Sequence, residues 1–385
     1  MANTLTSLIP DLYAALDVVS RELVGFVPAV TRDSTVARAA LNQTVRSFVA
    51  PASTAGNITP GVTPPDDGDQ TIGNVSLSIS KARRVPIRYN GEETLGLNNN
   101  GPGAVAIRQN QMAQAMRTLA NEIEADLAAL HASASRAFGT ATTDPFASSL
   151  TDPANIRAIL SDNGSPLSDM QLVISTSAGA KMRTLAQLTK ANESADTSML
   201  RQGVLLDIHG FAVRESAAIK RPAAGTAAGA TTNSAGYAVG ATTITLASAG
   251  TGTLIAGDVI TFAGDTNKYV LVSGDADVSG GGTFVLAAPG LRLAIAASAT
   301  AITVAAISGR NMGFSRSAIV LATRLPALPD GGDLAVDRTT ITDERSGLAF
   351  EVAMYAQYRQ MQYEISCAWG VAMVKTEHSA ILLGA

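Results

Sequence analysis

The chain is poor in the side chains that chemistry usually needs. It holds one cysteine, Cys367, in 385 residues, which excludes an internal disulfide and a cysteine metal cluster. Cys367 stands in the apolar alternating run Ile365–Trp369 and reads as a buried, inert thiol. The three histidines, His131, His209 and His378, lie far apart, and none has a metal-type spacing such as HExxH. Aromatic residues make up 4% of the chain and charged residues 16%. The side chains that remain are mostly small, which suits sheets and close-packed interfaces rather than deep aromatic pockets. The net charge is −4, with no sizeable basic patch, so a surface built to grip nucleic acid is not expected. Residues 222–257 carry no charge, but Gly, Thr and Ser interrupt them throughout. They do not form the apolar segment of about 20 residues that a membrane helix needs. The start, MANTLTSLIPDLY, lacks a basic stretch followed by an apolar core. A soluble protein made in the cytoplasm, without a membrane partner, is expected.

The short motifs fail in context. Gly101-x-Gly103-x-x-Ala106 precedes a helical pattern but follows LNNN rather than a strand, so it is not a dinucleotide fingerprint. Ser175-x-Ser177-x-Gly179 lacks the first glycine of a hydrolase elbow, and Ser177 reads as a helix cap. Asp66, Asp67 and Asp69 do not have EF-hand spacing, and Asp275 and Asp277 in a Gly-rich loop read as solvated turn residues in preference to the alternative, a calcium site. No catalytic residue, cofactor or metal site is expected, and the chain is not read as an enzyme.

What the sequence does have is length in its elements. From Gly103 to Phe138, apolar residues recur at Met112, Met116, Leu119, Ile123, Leu127, Leu130, Ala134 and Phe138. Steps of three and four predict one long helix with a buried stripe, while Arg117, Asn121, Glu124 and Asp126 fall mostly off it and face water. Such a rod spans roughly 50 Å. Residues 10–24 predict a short amphipathic helix with Leu12, Leu16, Val19 and Leu23 on one face. Residues 41–50 predict a strand, residues 51–70 a long Pro-rich loop, and Val75 to Tyr89 one long alternating strand. The two strands together predict a ribbon that projects from the body. Its basic cluster, Lys81, Arg83, Arg84 and Arg88, followed by Glu92 and Glu93, is either a solvated face or an ion-pairing patch between subunits. Helices are predicted over Ala154–Leu160, with Thr151-Asp152-Pro153 as its cap, and over Ala178–Leu188. Strands are predicted at Gln171–Ser175, Val204–Ile208, Phe211–Arg214, Ala217–Ile219, Ala318–Thr323 and through Leu348–Val374. The body is α+β.

At Pro222 the composition changes. As far as Ser308 the only basic residues are Lys268 and Arg292, and short β-rich runs alternate with Gly-rich turns: Ala241–Leu246, Asp258–Phe262, Lys268–Val272, Thr283–Leu286 and Ala301–Ile307. This predicts an inserted all-β, barrel-like domain that folds alone, with its ends close together. Deleting it is expected to leave the body's topology intact.

The stretches Asn3–Tyr13, Ala15–Gly25, Val85–Glu92, Leu200–Gly203, His209–Phe211 with Arg214–Ser216, Ala318–Arg324 and Trp369-Gly370 together resemble one family. In order and spacing the chain is similar to the major capsid (coat) proteins of tailed bacteriophages, in the branch whose coat protein carries an inserted β domain. The resemblance spans nearly the whole chain and is weakest within 222–308. It implies the tailed-phage capsid fold, with an N-arm at 1–40, an extended β loop at 41–95, and the spine helix, peripheral domain and start of the axial domain at 96–221. The inserted domain then occupies 222–308, and the rest of the axial domain with the C-terminal peripheral strands 309–385. It implies a structural role: self-assembly into pentamers and hexamers of an icosahedral head. The implied partners are other copies of the chain, a scaffolding protein, a portal protein and packaged double-stranded DNA bound without sequence specificity. The implied location is the virion capsid, after synthesis in the host cytoplasm. The alternative is a surface or fibre protein whose β insert binds carbohydrate.

Overall fold

The computed structural model describes residues 25–49, 55–63, 68–100, 104–189, 207–342 and 348–384. The helix expected over 10–24 and most of the strand expected at 204–208 lie outside them.

Two sheets organise the chain, and the chain enters between them. Phe26, Val27, Ala29 and Val30 are buried. Strand β1 (Thr31–Ala39) then runs parallel to β14 (Ile319–Pro326). Strands β2 (Thr44–Val49) and β3 (Gly73–Ser78) pair only with each other, as a two-stranded ribbon. Strand β4 (Lys81–Asn90) runs antiparallel to β17 (Gln360–Met373) in the body. The long strand expected from Val75 to Tyr89 is therefore two strands. The break is at Ile79 and Ser80. Ile79 exchanges backbone bonds with the Asn42–Gln43 turn, and the Ser80 amide turns to the Trp369 carbonyl.

The first sheet contains β1, β4, β14, β15 (Ala335–Thr342), β16 (Ala349–Gln357) and β17. Its register shows a seam. Ser366 of β17 pairs with Glu351 of β16, and Ala368 pairs with Arg324 of β14, while β4 holds the opposite edge at both positions. Strands β14 and β16 therefore lie end to end along one edge of β17. Ion pairs stitch the joint: Arg324 to Asp33 at 2.7 Å, Arg38 to Glu351 at 2.7 Å and Arg338 to Glu351 at 3.1 Å.

Helix α1 (Gly91–Asn100), which the sequence pattern did not suggest, opens on a reciprocal cap. The Glu93 amide donates to Asn90 Oδ1 and the Asn90 amide donates to Glu93 Oε2. Helix α2 (Ala104–Ala129) follows, and its stripe of Met112, Met116, Leu119, Ile123 and Leu127 is buried against Ile365, Cys367 and Trp369 of β17 in one core. The helix stops before the expected Phe138. A short 3-10 turn, Leu130–Ser133, leads into β5 (Arg136–Phe138). Strand pairing on both sides of β5, to β18 (Ser379–Gly384) and β10 (Lys268–Ser273), outweighs the helical period there. Glu124 and Asp126 also depart from the sequence reading. Glu124 is buried, and the Asp126 carboxylate is largely covered by Lys81 and Trp369.

The second sheet joins β5, β18, β13 (Gly309–Ser315), β6 (Met170–Ile174) and β7 (Phe211–Glu215) to strands from residues 222–308. Helix α3 (Thr151–Asp162) packs on β18, and its Asp152 binds the Phe146 amide rather than capping the helix. Helix α4 (Thr176–Thr184) is capped by Ser175, whose Oγ accepts from the Ala178 amide; Ser177 is not its cap. Helix α5 (Ala186–Thr189) is a separate turn. Residues 217–218 form a turn, and the strand expected at 217–219 is not formed.

Within 222–308, β8 (Thr243–Leu246), β9 (Val259–Phe262), β10, β11 (Gly282–Leu286) and β12 (Ile302–Val304) fall on the expected runs. Pairing runs β12-β9-β10-β11-β8, and bridges from Thr231 to Ala301 and from Thr232 to Leu246 join the two ends. This part has its own core around Ile244, Phe262, Leu271 and Phe284. It also shares a cluster with the body, in which Val259, Val270 and Ala287 meet Ala134, Ala137, Ile381 and Leu383.

Candidate subunit-contact surface

Strand β4 carries the expected basic cluster on the body and not on the projecting ribbon, because the chain breaks at Ile79. The spine helix α2 and β17 supply its partners within the subunit. Lys81 Nζ lies 2.7 Å from Asp126 Oδ1, and the Trp369 indole N–H donates to Asp126 Oδ2 at 2.8 Å. Arg83 Nε is 3.5 Å from Glu122, and Arg84 is 2.7 Å from Glu364 of β17. Glu93 closes the cap of α1. The pairs of Arg83 and Arg84 are more than half exposed on the arginine side, so each adds little to stability. Arg88 and Glu92 are exposed. The structure thus separates the six residues: Lys81, Arg83, Arg84 and Glu93 have partners in their own chain, and Arg88 and Glu92 face outward.

The ribbon itself is the exposed element. Leu41 is exposed at its base and Ile72 at its far end, and in the connecting loop Ile58 is 97% exposed and Val62 fully so. An isolated two-stranded ribbon is marginal in water without another surface against it. A second exposed apolar group, Leu334, Val336 and Tyr358, lies at the far end of β15–β16–β17. Neither group was singled out from the sequence, because isolated apolar residues in polar loops carry no periodic signal.

The root of the ribbon is seated closely. Leu77 and Ile79 are buried among Ala39, Ala322 and Ala368. Gly370 in β17 faces the Ser78 carbonyl, where a Cβ would stand 2.0 Å from that oxygen.

The cysteine and the turn aspartate have structural surroundings. Burial pushes the Cys367 thiol up to about 12, away from the reactive range. Asp277 caps the short turn at Ser279. Among the described residues no group of three or more His, Cys, Asp or Glu side chains is placed to hold a metal ion, and no helix is long and apolar enough to cross a membrane.

His131 occupies the joint between the end of α2, the 222–308 segment and β13. Its Nδ1 lies 3.0 Å from the Ala128 carbonyl, and Gly257 packs beside its Nε2. Burial lowers its pKa below the ordinary 6.5; Arg310 of β13 adds to this, and the bond to Ala128 opposes it. The folded state therefore binds fewer protons than the unfolded chain just below pH 6.5. The stability involved is present above that pH and is lost as pH falls through the lowered folded value. The melting temperature is expected to drop between about pH 7 and pH 5, and His131→Asn to make the drop shallower. His378, lowered by burial as well, adds to the slope in the same direction. An unchanged pH profile in the variant counts against this role.

No known family and no curated protein matches the sequence. The fold is similar to solved structures of low identity. A chain of Mycobacterium phage Che8 is 11% identical, with 94% of this chain and 91% of that chain covered and a TM-score of 0.49. A chain from the capsid of the cyanophage P-SCSP1u is 11% identical, with 94% and 88% covered and a TM-score of 0.48. A chain from the mature capsid of bacteriophage PhiM1 is 13% identical, with 94% and 87% covered and a TM-score of 0.46. All three are phage structures.

Proposed function

We propose that this chain is a structural building block of a tailed-phage capsid, a major capsid protein that assembles with copies of itself and catalyses no reaction. The observation that carries the reading is the ribbon β2–β3, which leaves the body with exposed apolar side chains and pairs with no other strand among the described residues. An element of this kind gains a surface when a second subunit supplies one, and obligate interfaces bury about 2,000 Å² or more. The order of elements supports the same reading: β1 as the root of an arm, the ribbon, a long helix crossing a sheet, then a β-rich insertion between β7 and β13.

On this reading the divisions 1–40, 41–95, 96–221, 222–308 and 309–385 correspond to arm, extended loop, spine with peripheral and axial parts, inserted barrel, and the remainder. The subunits form pentamers and hexamers of an icosahedral shell, built with a scaffolding protein and a portal and filled with double-stranded DNA. The net charge of −4 fits a lining that does not hold DNA tightly enough to impede packaging. Arg88 and Glu92 remain the members of the original cluster placed to meet a neighbour.

Electron microscopy of the purified protein, alone and with its scaffolding protein, tests the reading. Closed shells of uniform size are expected. Dispersed small particles under both conditions would overturn it.

A further inference from the structure

One carboxylate sits where three separate parts of the chain meet, and no surface role explains it. Glu124, in the C-terminal part of α2, is 2% exposed. Its Oε1 accepts from the Gly25 amide at 2.7 Å, from the Phe26 amide at 2.7 Å and from the Ser216 hydroxyl at 2.7 Å. Its Oε2 accepts from the Val27 amide at 3.2 Å. Three successive backbone N–H groups converging on one anion form a nest of the kind that elsewhere holds a phosphate. Here the chain's own side chain fills it. Among the described residues no cation is within ion-pair distance of this carboxylate, so those four donors carry the stabilisation of the charge.

The surroundings fix each partner in turn. Ser216 follows β7; its amide donates to the Ile174 carbonyl, and its oxygen also accepts from the Ala218 amide. Gly25 approaches so closely that a Cβ would lie 2.6 Å from the Glu215 carbonyl oxygen. Phe26 stacks on Phe314 of β13 with ring centroids 6.3 Å apart, and Arg316 donates to the Pro28 carbonyl at 3.3 Å. The segment Gly25–Val30 has no strand or helix of its own to hold its first amides. Those amides donate to Glu124.

We propose that Glu124 is a positioning residue that latches the segment beginning at Gly25 to the C-terminal part of the spine helix, and so fixes where that segment joins the body. The consequence for shells rests on the capsid reading above: a subunit whose N-terminal chain joins at the wrong place presents the wrong surface to its neighbours.

Hydrogen–deuterium exchange on Glu124→Gln and Ser216→Ala, with electron microscopy of the same samples, tests this. Glutamine keeps the size and one carbonyl oxygen but loses the charge, and its NH2 faces the Val27 amide instead of accepting from it. In E124Q the amides of Gly25, Phe26 and Val27 are expected to exchange at least ~10-fold faster, while those of β13 and β17 keep the wild-type rate. In S216A the same amides are expected to exchange about 3-fold faster, so the test survives if E124Q does not fold. Shell yield is expected to fall in the same order. Wild-type rates at residues 25–27 in either folded variant would overturn the proposal, and so would an equal acceleration across the whole sheet. If the wild-type protein forms no shells, the capsid reading fails, and the amide rates still decide whether the latch exists.

Discussion

Gly370→Ala is expected to detach the ribbon from the body and, on the capsid reading proposed above, to abolish shell formation. The added Cβ would stand 2.0 Å from the Ser78 carbonyl oxygen, 2.9 Å from its carbon and 3.2 Å from the Ile79 Cα. All three are backbone atoms, so no side chain can turn aside to make room. Gly370 is itself held in β17 by its pairing with Ala322 of β14, so the strand cannot yield. The segment that gives is the β3–β4 junction. Its movement breaks the bond from the Ser80 amide to the Trp369 carbonyl and withdraws Leu77 and Ile79 from their pocket among alanines. Overpacking alone costs about 1–3 kcal/mol, and exposing the two apolar side chains adds about 1.5–3 kcal/mol each at full loss. Those terms act on the junction, and the spine helix and β14–β17 pairing remain. Trypsin is therefore expected to cut the variant rapidly at Arg46 and Lys81 while the core persists, and microscopy to show no closed shells. Gly331→Ala is the control, since nothing lies within 4 Å of its Cβ position. A G370A protein with wild-type cleavage and normal shells would show that the ribbon root tolerates displacement.

Much of this arrangement is legible in the sequence, and the exceptions share a cause. The buried stripe of α2 is visible because Met112 to Leu127 repeat at helical spacing and nothing else in the chain competes for them. The strands β8 to β11 are visible because Gly-containing turns mark both ends of each. Glu124 is hidden because the residues flanking it on its own face, Ala120 and Ala128, are small enough to read as either surface or core. Only the arrival of Gly25 from far away in sequence makes that face interior. The end of α2 is hidden for the same reason: the helical period continues to Phe138, and β10 and β18 claim those residues from a distance. The basic cluster was legible as residues but not as a site, since the partners of Lys81, Arg83 and Arg84 are Asp126, Glu122 and Glu364. Two of these are on the spine helix and one is near the other end of the chain. The helix α1 cap is local, and the Asn90-x-x-Glu93 pattern was available to be read.

Excising residues 223–307 is expected to destabilise the body far more than it destabilises the excised piece. The composition of the segment reads as that of an inserted domain, yet its sheet is continuous with the body's: Lys268 pairs with Ala137 and Tyr269 with Arg136. Removing it turns β5 into an open edge, which invites pairing between molecules. It also uncovers Ala137, Ile381 and Leu383, all packed against Val259, Val270 and Ala287. Exposing the isoleucine and the leucine alone costs about 3 kcal/mol or more, a large fraction of a domain's net stability. Arg136, buried to 4% exposure, loses its bond to Asn267 but keeps Asp162 and Asn163 beside it. Arg310 loses the nearby Asp258. The remaining strands keep their partners, so the topology is expected to persist with a much lower urea midpoint and a strong tendency to aggregate. The separate 222–308 fragment retains the core around Phe262 and Phe284 and gives up the smaller cluster of Val259, Val270, Ala287 and Ala305 together with the short β10–β5 pairing. Its circular dichroism spectrum is expected to be that of a folded β protein. A random-coil spectrum for the fragment, or an unchanged urea midpoint for the shortened body, would show that the shared sheet does not couple the two. The expected asymmetry makes the insertion a prop: it folds without the body, and the body depends on it for the closed edge at β5.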